Sequence, residues 1–262
     1  MNRAVFGLFV ALSVAGCGTS PRVENKPSNV SANAGSTNAG NSLASTSSNA
    51  ASAPPALVGE KVTSPVTIKF GSEGIPAGWK WLDPDSKDAP TNPDTSSGVL
   101  KFIVPSGKDL YGEKRSALQL LKAVEGDFQI ETRVKFGPKD DYQGVGILVY
   151  RDPVEYLRFE RAFGGVGGGT NGLRLDARLK NEYRPIATPD DVPTAAAVVD
   201  LKLIRIGKTF TAFWRLDENG EWREVGEFKS DYPDTVQIGL IACNTGAPIP
   251  VEFSYIKLAP AK

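Results

Sequence analysis

The chain has 262 residues, with 30 basic and 30 acidic side chains and a formal net charge of zero. No block of like charge occurs, which argues against the clustered Lys/Arg footprint of a nucleic-acid binder. There is no histidine, so a Ser-His-Asp triad, a Cys-His pair and a His-based zinc site are excluded, and any catalysis must rest on carboxylates, Tyr, Lys, Arg or a thiol.

Met1–Cys17 opens with the basic Arg3, continues as an apolar run from Ala4 to Ala15 with Ser13 its one polar residue, and ends Val14-Ala15-Gly16-Cys17. That run is too short to span a bilayer as a mature helix and has the layout of a secretory signal. Its last four residues resemble the lipobox of bacterial lipoproteins. The resemblance implies that Cys17 becomes the mature N-terminus, carries the lipid and holds an exported protein on the membrane of the cell envelope. Gly18, rather than an aspartate, follows the cysteine, which points to the outer membrane. With Cys17 acylated, Cys243 has no partner and the mature domain has no disulfide. Cys243 closes an apolar run and is expected to be buried and inert, because no histidine can activate it.

Residues 18–60 are rich in Ser, Asn, Ala, Gly and Pro and contain no aromatic residue. They cannot bury enough apolar surface to offset the entropy of ordering. They read as a disordered tether with a coil span on the order of 35 Å, and residues 61–262 read as one folded domain.

From Val62 onward strand follows strand. The predicted set is Val66–Phe70, Val99–Val104, Ala117–Leu121, Phe128–Phe136, Val145–Arg151, Tyr156–Phe163, Leu173–Lys180, Tyr183–Ala187, Val199–Ile206, Phe210–Leu216, Trp222–Phe228, Val236–Ala242 and Val251–Leu258. Gly207-Lys208, Asp217-Glu218-Asn219-Gly220 and Tyr232-Pro233-Asp234 punctuate them. No segment keeps a helical period, so the class is all-β, an antiparallel sandwich or barrel. The stretch from Gly126 to Arg161 is the most informative. In its first run Phe128, Ile130, Val134 and Phe136 alternate with Gln129, Glu131, Arg133 and Lys135, a period of two that separates a core face from a charged one. Its second run is apolar on both faces, and its third alternates Leu157 and Phe159 with Tyr156, Arg158 and Glu160. The three are expected to be neighbouring strands.

The run from Ser116 to Val134, Gly144-Val-Gly-Ile-Leu-Val-Tyr-Arg-Asp152, Leu201 to Trp214 followed by Asn219-Gly-Glu-Trp222, and the closing Val236–Leu258 resemble the concanavalin A-like jelly rolls of bacteria. Within them the closest likeness is to the uncharacterised family related to the C-terminal domain of β-xylosidases, over roughly Val66–Leu258. The resemblance implies a jelly-roll β-sandwich whose curved sheet offers a concave face, the usual sugar platform. The Gly-rich stretch Gly164–Gly169 departs from it and reads as a rim loop.

On that face Tyr156, Arg158 and Glu160 share one parity, and Arg174, Asp176 and Arg178 share it on the next strand. Aromatic faces and planar hydrogen-bonding groups are what a carbohydrate needs, and bidentate Arg also suits an acidic glycan. These six are the candidate ligand-binding residues. The plain alternative is a solvated face laced by cross-strand ion pairs. Three functions compete. The first is a non-catalytic module binding a carbohydrate or cell-envelope glycan, monomeric and without cofactor or metal. The second is a glycoside hydrolase using Glu160 and Asp176 with Glu131 nearby. The third is a structural or protein-interaction module. No Glu-x-Asp-x-x-Glu string of laminarinase type is present, and no catalytic residue is assigned. Tyr255-Ile256-Lys257 matches a fragment of alginate-lyase jelly rolls, but their histidine is missing. Trp79 and Trp81 are expected to pack the core or cap an edge, and Trp214 and Trp222 to lie in the core. Asp83, Asp85 and Asp88 offer oxygen ligands at short spacing, yet they lack the full calcium-loop pattern.

Overall fold

The alternating runs fold as strands, and Gly, Pro and Asn residues set where each one stops. The computed structural model describes residues 57–85, 91–163, 171–188 and 196–262, and no helix occurs among them. In chain order the strands are β1 (Glu60–Lys61), β2 (Val66–Ile68), β3 (Lys80–Leu82), β4 (Leu100–Val104), β5 (Leu118–Glu125), β6 (Phe128–Lys135), β7 (Gly144–Asp152) and β8 (Glu155–Phe163). They continue with β9 (Asn171–Leu179), β10 (Glu182–Ala187), β11 (Val198–Ile206), β12 (Thr209–Arg215), β13 (Arg223–Lys229), β14 (Thr235–Cys243) and β15 (Ile249–Ala259).

The strands form two sheets. An eight-stranded sheet runs β1-β5-β14-β7-β8-β9-β10, with β3 also paired to β5. A seven-stranded sheet runs β13-β12-β11-β6-β15-β2, with β4 also paired to β15. β1 is parallel to β5, and the sandwich is otherwise antiparallel. Apolar residues of one parity from each sheet meet in the middle: Val145, Ile147, Val149, Leu157, Phe159, Leu173 and Leu175 from one side, Phe128, Ile130, Val134, Val199, Leu201 and Leu203 from the other. Each is screened from water, and burying a side chain of this size stabilises by about 1.5–3 kcal/mol. At the ends, β9 and β10 are joined by Lys180-Asn181, both with positive φ (49° and 70°), which is the backbone that a tight two-residue hairpin requires. Pro185 lies in β10, the terminal strand of its sheet, where a missing N–H breaks no interior ladder.

Two expectations are corrected. β6 is not a neighbour of β7: it lies in the seven-stranded sheet between β11 and β15, whereas β7 and β8 lie in the other. The crossing takes place between Phe136, whose N–H still bonds Ala197 O at 2.8 Å, and Tyr142, whose N–H bonds Phe163 O at 3.1 Å. Glu131 is therefore on the far side of the sandwich from Glu160 and Asp176. The second correction is Trp222, which is outside the core. Its ring lies under Lys202 Nζ at 4.1 Å and Arg215 Cζ at 4.3 Å, whereas Trp214 and Trp79 are core residues as expected. Trp81 packs edge-on against Phe102 at 5.0 Å and donates its indole N–H to Thr91 O at 2.9 Å. Cys17, most of the tether, Asp88 and Gly164–Gly169 lie outside the described residues.

Candidate functional site

The antiparallel register of β8 and β9 sets Tyr156 opposite Arg178, Arg158 opposite Asp176 and Glu160 opposite Arg174. The six residues picked out by parity are thus three directly facing pairs on the outer side of the eight-stranded sheet. Directly opposite positions are the closest that two strands offer, and opposite charges there attract. Arg158 grips Asp176 with both arms of its fork, Nε to Oδ1 at 2.9 Å and Nη2 to Oδ2 at 3.0 Å. Arg174 Nη2 donates to Glu160 Oε2 at 2.6 Å, and its Nε lies 3.1 Å from Asp176 Oδ2. One guanidinium therefore ties the two carboxylates together. Gly144 on β7 makes the room: a Cβ there would lie 2.8 Å from both Arg174 Nη2 and Glu160 Oε2.

This face is not a solvated one. Glu160 and Asp176 are 0% exposed, and all six residues are buried. The described part of the cover is the connection between β4 and β5. Its Leu110 packs with Leu121, Leu148, Tyr156, Ile241 and Cys243 in a second apolar cluster, and Leu110 O accepts a hydrogen bond from the Tyr156 hydroxyl. Burial pushes that hydroxyl up to about 12. Burial alone would lower the Arg158 guanidinium, but Asp176 and Glu160 outweigh it and raise it well above its ordinary value. The neighbouring Asp109 carboxyl is raised by burial, with Arg158 opposing. Burial also lifts the Cys243 thiol, 3.9 Å from Arg158 Nη1, so it is a protonated, inert sulfur.

One corner of the face opens outward. Tyr111, 48% exposed, has Arg178 Cζ 5.1 Å from its ring centroid and meets the Tyr183 ring edge-on at 5.6 Å. Arg178 Nε donates to Asn181 Oδ1 at 2.9 Å, and the Tyr183 hydroxyl reaches Asp176 Oδ2 at 3.4 Å. Tyr111 and Tyr183 were not among the expected site residues. The signal for Tyr111 is a lone aromatic in the polar Asp109-Leu-Tyr-Gly-Glu-Lys114 loop. Buried polar atoms without a partner are rare. Three of the four among the described residues, Gln119 Oε1, Glu160 Oε1 and Arg178 Nη1, belong to this sheet's outer face.

The other candidate groups do not join them. Glu131 accepts from the Tyr255 hydroxyl at 2.8 Å and lies 3.8 Å from Lys257 on the seven-stranded sheet. Asp83 pairs with Lys108 and accepts the Thr91 N–H at 2.7 Å. No group of three or more acidic or thiol side chains suited to a metal ion occurs among the described residues.

No family model and no curated protein matches the chain. Solved structures do match. A functionally unknown protein from Saccharomyces cerevisiae superposes with a TM-score of 0.59 at 17% identity, over 71% of this chain and 98% of the yeast chain. The exoplasmic/lumenal domain of VIP36, in its Ca2+-bound form, gives 0.53 at 10% identity, over 75% of this chain and 90% of that one. The fold is a concanavalin A-like β-sandwich. The GH43 BlXynB protein from Bacillus licheniformis carries the same sandwich, with a TM-score of 0.59 at 12% identity over 74% of this chain. This concanavalin A-like chain spans 39% of the length of that GH43 protein, and the likenesses concern the fold alone.

Proposed function

We propose that this chain is a non-catalytic glycan-binding module, held on the bacterial cell envelope by lipid at Cys17, and that it binds through the outer face of the eight-stranded sheet. The observation that carries the reading is the open corner of that face. There the half-exposed Tyr111 ring stacks on Arg178 and meets Tyr183 edge-on. A sugar hydroxyl both donates and accepts, and its ring carbons pack on an aromatic face. The occurrence of the same sandwich in GH43 proteins and the resemblance to the family related to the β-xylosidase C-terminal domain support a glycan as partner.

Hydrolysis by Glu160 and Asp176 is the weaker reading. Glycosidases place the scissile bond between two carboxylates, and here Arg174 occupies the space between them. The test is a glycan array on residues 18–262, with Tyr111→Ala/Arg178→Ala as the comparison. Binding by the unaltered chain that the double variant loses supports the reading, and an array with no binding sinks it. Lipidation is tested separately by labelling with a fatty-acid analogue in a bacterial host, which Cys17→Ala is expected to abolish.

A further inference from the structure

The outer face of the seven-stranded sheet carries a second charged cluster, and the strand register sets its order. Across β15, β6, β11 and β12 one row reads Lys257, Glu131, Lys202, Phe213; beside it, on β6, β11 and β12, runs Arg133, Asp200, Arg215. The two carboxylates form a buried frame: the Asp200 side chain is 0% exposed and that of Glu131 7%. Both are already satisfied. Asp200 accepts from Arg133 Nε at 2.6 Å and from Arg215 Nε at 2.8 Å. Glu131 accepts from the Tyr255 hydroxyl at 2.8 Å and lies 3.4 Å from Arg215 Nη2 and 3.8 Å from Lys257 Nζ. Two carboxylates thus serve three cations. At the rim, the exposed Glu218 adds a contact to Arg133 at 3.6 Å.

Lys202 is the cation left over. It makes no ion pair or hydrogen bond among the described residues. Its Nζ lies over two rings instead, 4.7 Å from the Phe213 centroid and 4.1 Å from that of Trp222, and Arg215 Cζ lies 4.3 Å from the same indole. A ring face returns only about 0.5–2 kcal/mol to a cation, and two like charges on one ring repel. Burial holds the Lys202 pKa below its ordinary value; Glu131 opposes this, and Arg215 and Lys257 add to the fall. The patch is therefore short of negative charge, in a chain whose net charge is zero. Lys202, Phe213, Trp222 and Lys257 are all partly exposed, so the row is open to solvent.

An ammonium carries three N–H donors and no acceptor, and its strong hydrogen bonds are those to charged oxygens. A neutral hydroxyl would leave the excess charge uncompensated. We propose that this face binds one oxyanionic group, a carboxylate, sulfate or phosphate, on Lys202, flanked by Arg215 and Lys257. The site is separate from the Tyr111–Arg178 corner on the other sheet and does not depend on the glycan-binding reading.

The test is a calorimetric titration of residues 18–262 with sodium sulfate, sodium phosphate and methyl glucuronide, with amide spectra recorded in parallel. Methyl glucoside is the neutral control, and chloride holds the ionic strength constant so that screening does not change. At least one of the anions is expected to shift the amides of Lys202 and Phe213 and the indole N–H of Trp222 saturably, and the glucoside is not. Response to sulfate and phosphate with the glucuronide silent marks a tetrahedral anion; response to the glucuronide alone marks a carboxylate carried on a sugar. Lys202→Gln is expected to weaken binding about tenfold or more, the worth of one hydrogen bond to a charged group, and Arg178→Ala to leave it intact. Affinity is expected to fall with rising pH before the ordinary lysine range is reached, because the ammonium loses its proton early. No saturable shift with any of the three anions, unchanged affinity in Lys202→Gln, or equal binding of the glucoside overturns the proposal. Shifts confined to Tyr111 and Arg178, lost in Arg178→Ala, overturn it while leaving the sheet-face reading standing. Should Lys202→Gln fail to fold, Lys257→Gln removes a more exposed cation of the same row, and unchanged affinity there overturns the proposal equally.

Discussion

Replacing Arg174 with methionine tests whether the polar face is a buried, mutually dependent ion network. The guanidinium contacts Glu160 at 2.6 Å and Asp176 at 3.1 Å, and both carboxylates are fully buried. Asp176 keeps its bidentate partner Arg158, but Glu160 retains only Arg158 Nε at 3.9 Å. Removing one partner of a buried pair leaves an uncompensated charge and costs about 3–5 kcal/mol, which for a domain of this size lowers Tm by roughly 6–20 °C. Urea unfolding followed by tryptophan fluorescence measures it. Adding Glu160→Leu removes the stranded charge and restores most of the loss. A loss below about 1 kcal/mol, as for an exposed pair, would refute the buried network.

Gly144→Ala puts a methyl group 2.8 Å from Glu160 Oε2 and Arg174 Nη2 and is expected to cost about 1–3 kcal/mol, read by the same unfolding assay. Trp214→Ala is expected to cost about 3–5 kcal/mol as a core deletion, and Trp222→Ala less than half of that, because the second ring is stacked under cations outside the core; equal losses contradict that placement. Cys243 is 0% exposed with its thiol raised by burial, so it stays protonated at about pH 8. It should resist a thiol reagent in the native protein and react after unfolding; rapid native labelling contradicts its burial.

Periodicity carried much of the architecture. The alternation in β6, β8, β9 and β11 identifies each core face, and the shared parity of Arg158, Glu160, Arg174 and Asp176 puts the cluster on one face in the sequence alone. What parity does not carry is the sheet to which a strand belongs. Phe128–Lys135 reads the same whether it sits beside β7 or beside β11, and the crossing between Phe136 and Tyr142 decides it. Nor does parity say that a charged face is roofed. The roof includes Leu110 and Tyr111 on a loop far along the chain from Tyr156 and Arg178, and nothing in β8 or β9 announces it. Trp222 was misplaced because it lies just outside β13, next to strands whose register slips between Ala212 and Phe213, so its side cannot be counted from Trp214. β1 and β3 are two and three residues long, too short to show a period.

The most direct measurement of the central claim is amide shift mapping on residues 18–262 with the glycan that binds most strongly on the array. Shifts centred on Leu110, Tyr111, Arg178 and Tyr183, lost together with binding in Tyr111→Ala/Arg178→Ala, are the predicted result. Shifts centred on Trp222, beside β13, and on Tyr255 of the seven-stranded sheet, or no glycan that binds at all, would contradict it.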